Sequence, residues 1–159
     1  MKENKSKISI KYEIILTKKD TNDFDRDKVS SVLHLHPIYS EPPKLSKGKI
    51  YFDDFGAESG FTVIHQKKPP HCFIIHALWC YGKDGFNTFD EAFSELVEII
   101  DDKKNEFVEL CSAENLSASL QITVFSKGKD IPYLTLPNNY LLLFASVGMS
   151  VEVFLNLNS

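Results

Sequence analysis

Five histidines (His34, His36, His65, His71 and His76) could supply metal ligands together with the thiols of Cys72 and Cys80. A structural zinc site needs four converging ligands, usually with a close pair such as C-x-x-C. No such pair occurs. Cys72 and Cys80 are an even number of residues apart, so in one strand they would share a face and lie too far apart for a single ion. The expected reading is therefore core thiols, loop histidines and no metal. His76 offers general-base chemistry, since burial can tune an imidazole near neutrality. No nucleophile or orienting carboxylate is near it in sequence, so a hydrogen-bonded core histidine is expected. Asp53, Asp54 and Glu58 could hold a divalent cation, but calcium-loop spacing is absent and a solvated loop is expected. No nucleophile elbow, phosphate loop, dinucleotide fingerprint, H-E-x-x-H or RNA-recognition signature is present, so no enzymatic activity and no cofactor are expected.

Glu91, Glu95, Glu98 and Asp102 recur at spacings of four, three and four, which places them on one stripe of a helix. Like charges so spaced repel by a few tenths of a kcal/mol per pair. Either the stripe is a solvated face or the repulsion is tolerated for the sake of a partner. The charge distribution sharpens the second alternative. Residues 1–49 carry 11 basic and 7 acidic groups, net +4, whereas residues 50–159 carry 7 basic and 15 acidic, net −8. Such a surface repels phosphates and fits a basic protein. Glu91, Glu95, Glu98 and Asp102, with Asp53 and Asp54, are accordingly the expected partner-binding residues. An alternative site for a small ligand lies near the 38–60 loop, where Tyr39, Tyr51, Phe52 and Phe55 cluster.

These side chains must be positioned by a regular framework. Charged residues make up 25% and hydrophobic ones 43% of the 159, an ordinary globular balance. A single domain spanning residues 1–159 is expected. No apolar run approaches the ~20 residues of a membrane span. The start of the chain lacks a signal-peptide pattern, and an odd count of three cysteines is consistent with reduced thiols, so a cytoplasmic location is expected.

Alternating apolar residues predict strands over Ile8–Leu16, with Ile15 breaking the pattern, and over 61–66, Leu116–Val124 and Met149–Leu155. The apolar run from Cys72 to Tyr81 is expected to be one central strand covered on both faces. Asp25 caps a predicted helix that shares Val29, Val32 and Leu33 on one face and ends at Pro37. Thr88 and Glu91 form a capping box for a long helix carrying Phe89, Phe93, Leu96, Val97 and Ile100, with an adjustment near Lys103 before Phe107 and Leu110. Pro137 opens a last helix that Gly148 stops. Residues 38–49 are expected to be irregular. The order β-α-β-β-α-β-α-β predicts an α+β two-layer sandwich, with three helices on a mixed sheet of about five strands.

Three landmarks in this order resemble a known family. The first is Asp25, Val29, Leu33, Leu35 and Pro37 in a D-x-x-x-V-x-x-x-L-x-L-x-P opening. The second is Leu78-Trp79 in a strand just before the long helix. The third is the run Leu134–Phe154, with Leu134, Leu136, Leu141, Ala145 and Gly148 in place. From about Asp25 to Phe154 the chain is similar to a bacterial domain family of unknown function, number forty-two seventy-nine, although the long 38–71 region departs from its compact pattern. The landmarks are helix ends and core positions, so the resemblance implies fold and no catalytic residues. Small orphan domains of this kind accompany toxin loci as immunity proteins. The resemblance therefore implies an antitoxin that binds a cognate bacterial toxin, with a basic nuclease domain fitting the charge.

Overall fold

In a computed structural model, which describes residues 7–48, 61–65, 71–127 and 133–158, the long alternating stretch near the start forms β1 (Lys7–Lys18). Ile10, Tyr12, Ile14 and Leu16 are each at most 1% exposed, and the residues between them face the other side. After β1 the described chain runs α1 (Arg26–Leu33), β2 (Tyr39–Glu41), β3 (Lys44–Gly48), β4 (Phe61–His65) and β5 (His71–Ile75). It continues through β6 (Leu78–Phe86), α2 (Phe89–Asp102), α3 (Lys104–Ala113), β7 (Leu116–Lys127), α4 (Asn138–Ser146) and β8 (Met149–Asn158).

Five strands form one mixed sheet in the order β2-β6-β1-β7-β8, antiparallel except for the parallel pair β7 and β8. The register carries the alternation across the sheet. Leu16 pairs with Trp79 and with Ala118, Ile14 with Tyr81 and with Leu120, and Leu120 in turn with Val151. Cross-strand partners share a face, so these residues make one continuous apolar surface. Val29 and Leu33 of α1, Phe93, Leu96 and Ile100 of α2, Phe107 and Leu110 of α3 and Phe144 of α4 all join the same core cluster. One helix layer thus packs on one face of one sheet, as the α+β reading expects. Among the described residues there are four helices, because the long acidic helix breaks at Lys103 into α2 and α3.

Two local contacts fix the packing. Trp79 is fully buried, and its indole N–H donates to Ser30 Oγ of α1 at 2.9 Å. Gly82 lies opposite Glu13, where a Cβ would stand 2.5 Å from the Tyr12 carbonyl oxygen and 2.9 Å from Glu13 Cγ. Only glycine lets β6 approach β1 this closely.

Four local expectations are corrected. Cys72–Tyr81 is not one strand: β5 ends at Ile75, β6 starts at Leu78, and β1 holds the sheet's centre. β5 pairs instead with β3 and β4 in a separate three-stranded sheet, order β3-β5-β4. Residues 38–49 are not irregular throughout. Pro42-Pro43 interrupts pairing only locally, leaving β2 on the main sheet and β3 on the second one. Helix α1 ends at Leu33, before Pro37 can act, because His34 adopts a left-handed φ of 52° and its N–H returns to the Ser30 carbonyl. Val32 lies on the exposed side of α1.

Ser30→Ala leaves a buried indole N–H without a partner and is expected to lower the unfolding free energy by about 1–2 kcal/mol in urea. Gly82→Ala forces β1 and β6 apart and is expected to cost about 1–3 kcal/mol. Unchanged denaturation midpoints in both variants would contradict the packing described.

Candidate functional site

Helix α2 is built by its cap. Thr88 Oγ1 accepts the Glu91 N–H at 3.3 Å, and Glu91 Oε2 accepts the Asn87 N–H at 3.3 Å, so the box closes one residue earlier than its usual form. Ala92, Phe93, Leu96 and Ile100 turn into the core. Asp90, Glu91, Glu98, Asp101 and Asp102 are exposed. Asp102 meets Lys103 Nζ at 3.2 Å, whereas Asp90, Glu98 and Asp101 are bound to nothing among the described residues. Asp101 escaped the stripe pattern, although it stands three residues past Glu98 and beside Asp102.

Glu95, expected on the outward stripe, instead leans over the sheet. Its Oε1 accepts a 2.6 Å hydrogen bond from the Tyr12 hydroxyl and sits 2.7 Å from Lys83 Nζ. Glu95 shares the stripe with Glu98, but the sheet supplies Tyr12 and Lys83 beneath it. Burial acts to raise the Glu95 carboxyl, but the hydrogen bonds from Lys83 and Tyr12 outweigh it and hold the group below its ordinary range. The same bond keeps the Lys83 ammonium protonated further into base. Burial, then the Glu95 carboxylate, drives the Tyr12 phenol far upward. Glu95 is therefore a strut between α2 and strands β1 and β6.

The other candidate ligands are distributed over several elements. His34 and His36 are exposed between α1 and β2. His65, His71 and Cys72 belong to the strands of the second sheet, and Cys80 to the main one. His76 is 2% exposed at the step between β5 and β6, with Nδ1 2.9 Å from the Lys18 carbonyl oxygen. A carbonyl only accepts, so Nδ1 carries the proton in that bond. The Cys80 thiol is pushed up to about 12 by burial, reinforced by the Glu13 carboxylate with its oxygen 3.8 Å away, and it is no nucleophile at neutral pH. Burial likewise raises the Cys111 thiol. Among the described residues no three His, Cys, Asp or Glu side chains are grouped to hold a metal. Asp53, Asp54 and Glu58, and the aromatic residues Tyr51, Phe52 and Phe55, lie outside the described residues; Tyr39 of β2 is exposed.

The side of the sheet that faces away from the helices carries a groove of about 530 Å³ across β1, β7 and β8. Thr17, Ser117, Ser119, Gln121 and Ser150 form its floor, with Lys19 at one end and Glu152 along β8. Gln121 Nε2 donates to Glu152 Oε2 at 3.1 Å. Ile15, the residue that broke the alternation of β1, is the groove's apolar wall. The sequence signal for this surface was present in that one irregularity and in the serines of β7. No helix of the described residues is long and apolar enough to cross a membrane.

The strut makes a pH-dependent prediction. A carboxyl held low in the folded state contributes stability in full above its ordinary value of 4.5, and the contribution fades as pH falls through the lower folded value. Glu95→Gln is expected to cost roughly 1 kcal/mol at pH 7, discounted for partial exposure. In urea titrations the variant and the parent chain should converge in acid below the folded value. A gap that persists there would show that the loss is not electrostatic.

Residues 55–158 match the family model described as domain of unknown function DUF4279. Leu78-Trp79 and the Leu134–Phe154 run fall inside the match, and the Asp25–Pro37 opening precedes it. No curated protein and no solved structure matches the chain. With most of its length covered by that model, including the long helices and the last three strands of its main sheet, the chain belongs to the DUF4279 family.

Proposed function

We propose that this chain is a non-catalytic cytoplasmic binding protein, an immunity protein that holds a basic bacterial toxin by the exposed side of α2 and occludes its active site. One observation carries the reading. α2 presents Asp90, Glu91, Glu98, Asp101 and Asp102 to solvent, and no basic residue lies in its last turn. Asp101 and Asp102 stand at the negative end of the helix dipole, where each carboxylate costs about 0.3–1 kcal/mol. A fold that bears this cost at an exposed position has a use for the charge outside itself. Complementary charge speeds encounter with a basic domain and fixes its orientation. Glu95, engaged with Tyr12 and Lys83, stabilises the helix and stands behind the contact surface. That the partner is a toxin, with a nuclease domain as the basic species, follows the association implied by the family resemblance.

A second reading, a small-ligand module, has the groove on the open sheet face in its favour. Its volume lies within the range of about 300–1,000 Å³ usual for ligand sites, although its lining is more polar than most. Hydroxyl, amide, ammonium and carboxylate groups would suit a small polar ligand. Tyr39 does not line that groove. Amide-shift changes confined to Thr17, Ser119 and Gln121 on titration with polar metabolites would carry this reading, and a silent spectrum would remove it.

The decisive test of the first reading uses the polypeptide encoded beside this chain. Glu98, Asp101 and Asp102 changed together to Lys should slow association with it at least ~10-fold at low salt, and the difference should vanish near 1 M salt, where screening acts within about 3 Å. Cells producing that polypeptide should lose protection by the triple variant. Unchanged rate, affinity and protection would remove α2 from the interface.

A further inference from the structure

Among the described strands β8 is one edge of the main sheet, ten residues long and paired on one side only, with β7. Edges of this length present a row of free N–H and C=O groups and are usually blunted by charges, prolines or bulges. β8 has none of these along its outer half. Its one charge, Glu152, already accepts from Gln121. Helix α4 has nine residues, spanning ~14 Å against the ~33 Å of a ten-residue strand. It covers only the start of β8: Met149 is buried and Val151 half-buried, but Val153, Leu155 and Leu157 beyond it are 40%, 50% and 47% exposed. Phe154, on the groove side, is 48% exposed.

We infer that this edge is the joint of a homodimer, two copies of β8 pairing antiparallel about a two-fold axis through Phe154 and fusing the two main sheets into one of ten strands. The sequence of β8 selects that register. Residues directly opposite each other across antiparallel strands share a face, so a two-fold axis normal to the sheet must pass through a residue. Centred on Phe154, it sets Phe154 against Phe154, Val153 against Leu155 and Val151 against Leu157. Glu152 then faces the neutral amide of Asn156, so no like charges meet. Centred on Val153 it would set Glu152 against Phe154; centred on Leu155 it would set Phe154 against Asn156. Only the Phe154 register matches every exposed apolar side chain of the strand with another.

The area fits a second copy. Four half-exposed aliphatic and aromatic side chains offer roughly 350 Å² per copy. With the backbone edges of nine paired residues, the two copies together reach about 1,000–1,200 Å², the lower end of specific interfaces. The association is therefore weak and concentration-dependent. It uses a different element from α2 and stands independently of the binding reading above.

Sedimentation velocity on the full chain from about 1 to 500 µM, the range of a micromolar equilibrium, should show monomer passing to dimer. Phe154→Lys should abolish the shift while leaving the urea midpoint unchanged, since that side chain is half-exposed. Phe154→Cys should form an intermolecular disulfide under mild oxidation, because the two-fold brings the paired Cα atoms within the roughly 4.4–6.8 Å such a bond requires. Asn156→Cys, displaced from the axis, should not, and the unaltered chain controls for its own cysteines. Monomer at every concentration, a dimer indifferent to Phe154→Lys, or cross-linking at Asn156→Cys in preference to Phe154→Cys would each overturn the proposal.

Discussion

The helices cover one face of the main sheet and leave the other to solvent or to whatever binds there, and most of the structure follows from that one-sidedness. β1 is the clearest expression of it. Its even-numbered residues from Ile10 to Leu16 are sealed under the helices, while Lys11 and Glu13 on the opposite side form a 2.7 Å ion pair. β7 repeats the pattern, with Leu116 to Val124 inward and a row of serines, Gln121 and Thr123 outward. A one-residue slip between these strands would put Lys11 into the core. The fully paired register over twelve residues, with Gly82 fitted against Tyr12 on the other side, makes such a slip costly.

The same one-sidedness decides what the acidic helix can do. A helix lying on a sheet has an inner stripe, an outer stripe and two flanks. The carboxylates of α2 are divided among these. Glu95 falls on a flank within reach of Tyr12 and Lys83, so its charge is spent inside the molecule. Glu98 and Asp101 fall outside that reach. Spacing alone does not separate the two cases, because Glu95 and Glu98 are three residues apart and both belong to the same geometric stripe. The difference is made by what the sheet supplies beneath one of them.

The framework was legible wherever period and punctuation agreed. β1, β7 and β8 were readable from alternation, despite Ile15 and Phe154, α1 from Asp25, and α2 from Thr88 and Glu91. Reading failed where a continuous apolar run carried no internal punctuation. From Cys72 to Tyr81 every residue suits a strand, and nothing local marks His76-Ala77 as the step between two sheets; the marker is tertiary, the pair of bonds joining Lys18 to His76 and Ala77. β2 and β3 were hidden for the opposite reason, because Pro42-Pro43 reads as a breaker of the whole segment when it separates only two short strands. For the candidate site, the charges of α2 were legible but their partners were not, since Tyr12 is 83 residues from Glu95 in sequence. The groove was signalled only by Ile15 and a serine-rich strand.

The position of β1 between β6 and β7 has a consequence for how the molecule comes to exist. Neither neighbour is close along the chain: Leu16 meets Trp79 on one side and Ala118 on the other. During synthesis the strand leaves the ribosome long before either flank is available, with Ile8, Ile10, Ile14 and Leu16 unshielded in the meantime. Loop closure over such separations is slow, and an unpaired apolar segment is the species that nascent-chain holdases bind. The centre of the finished sheet is thus the part of the polypeptide that waits longest for its place.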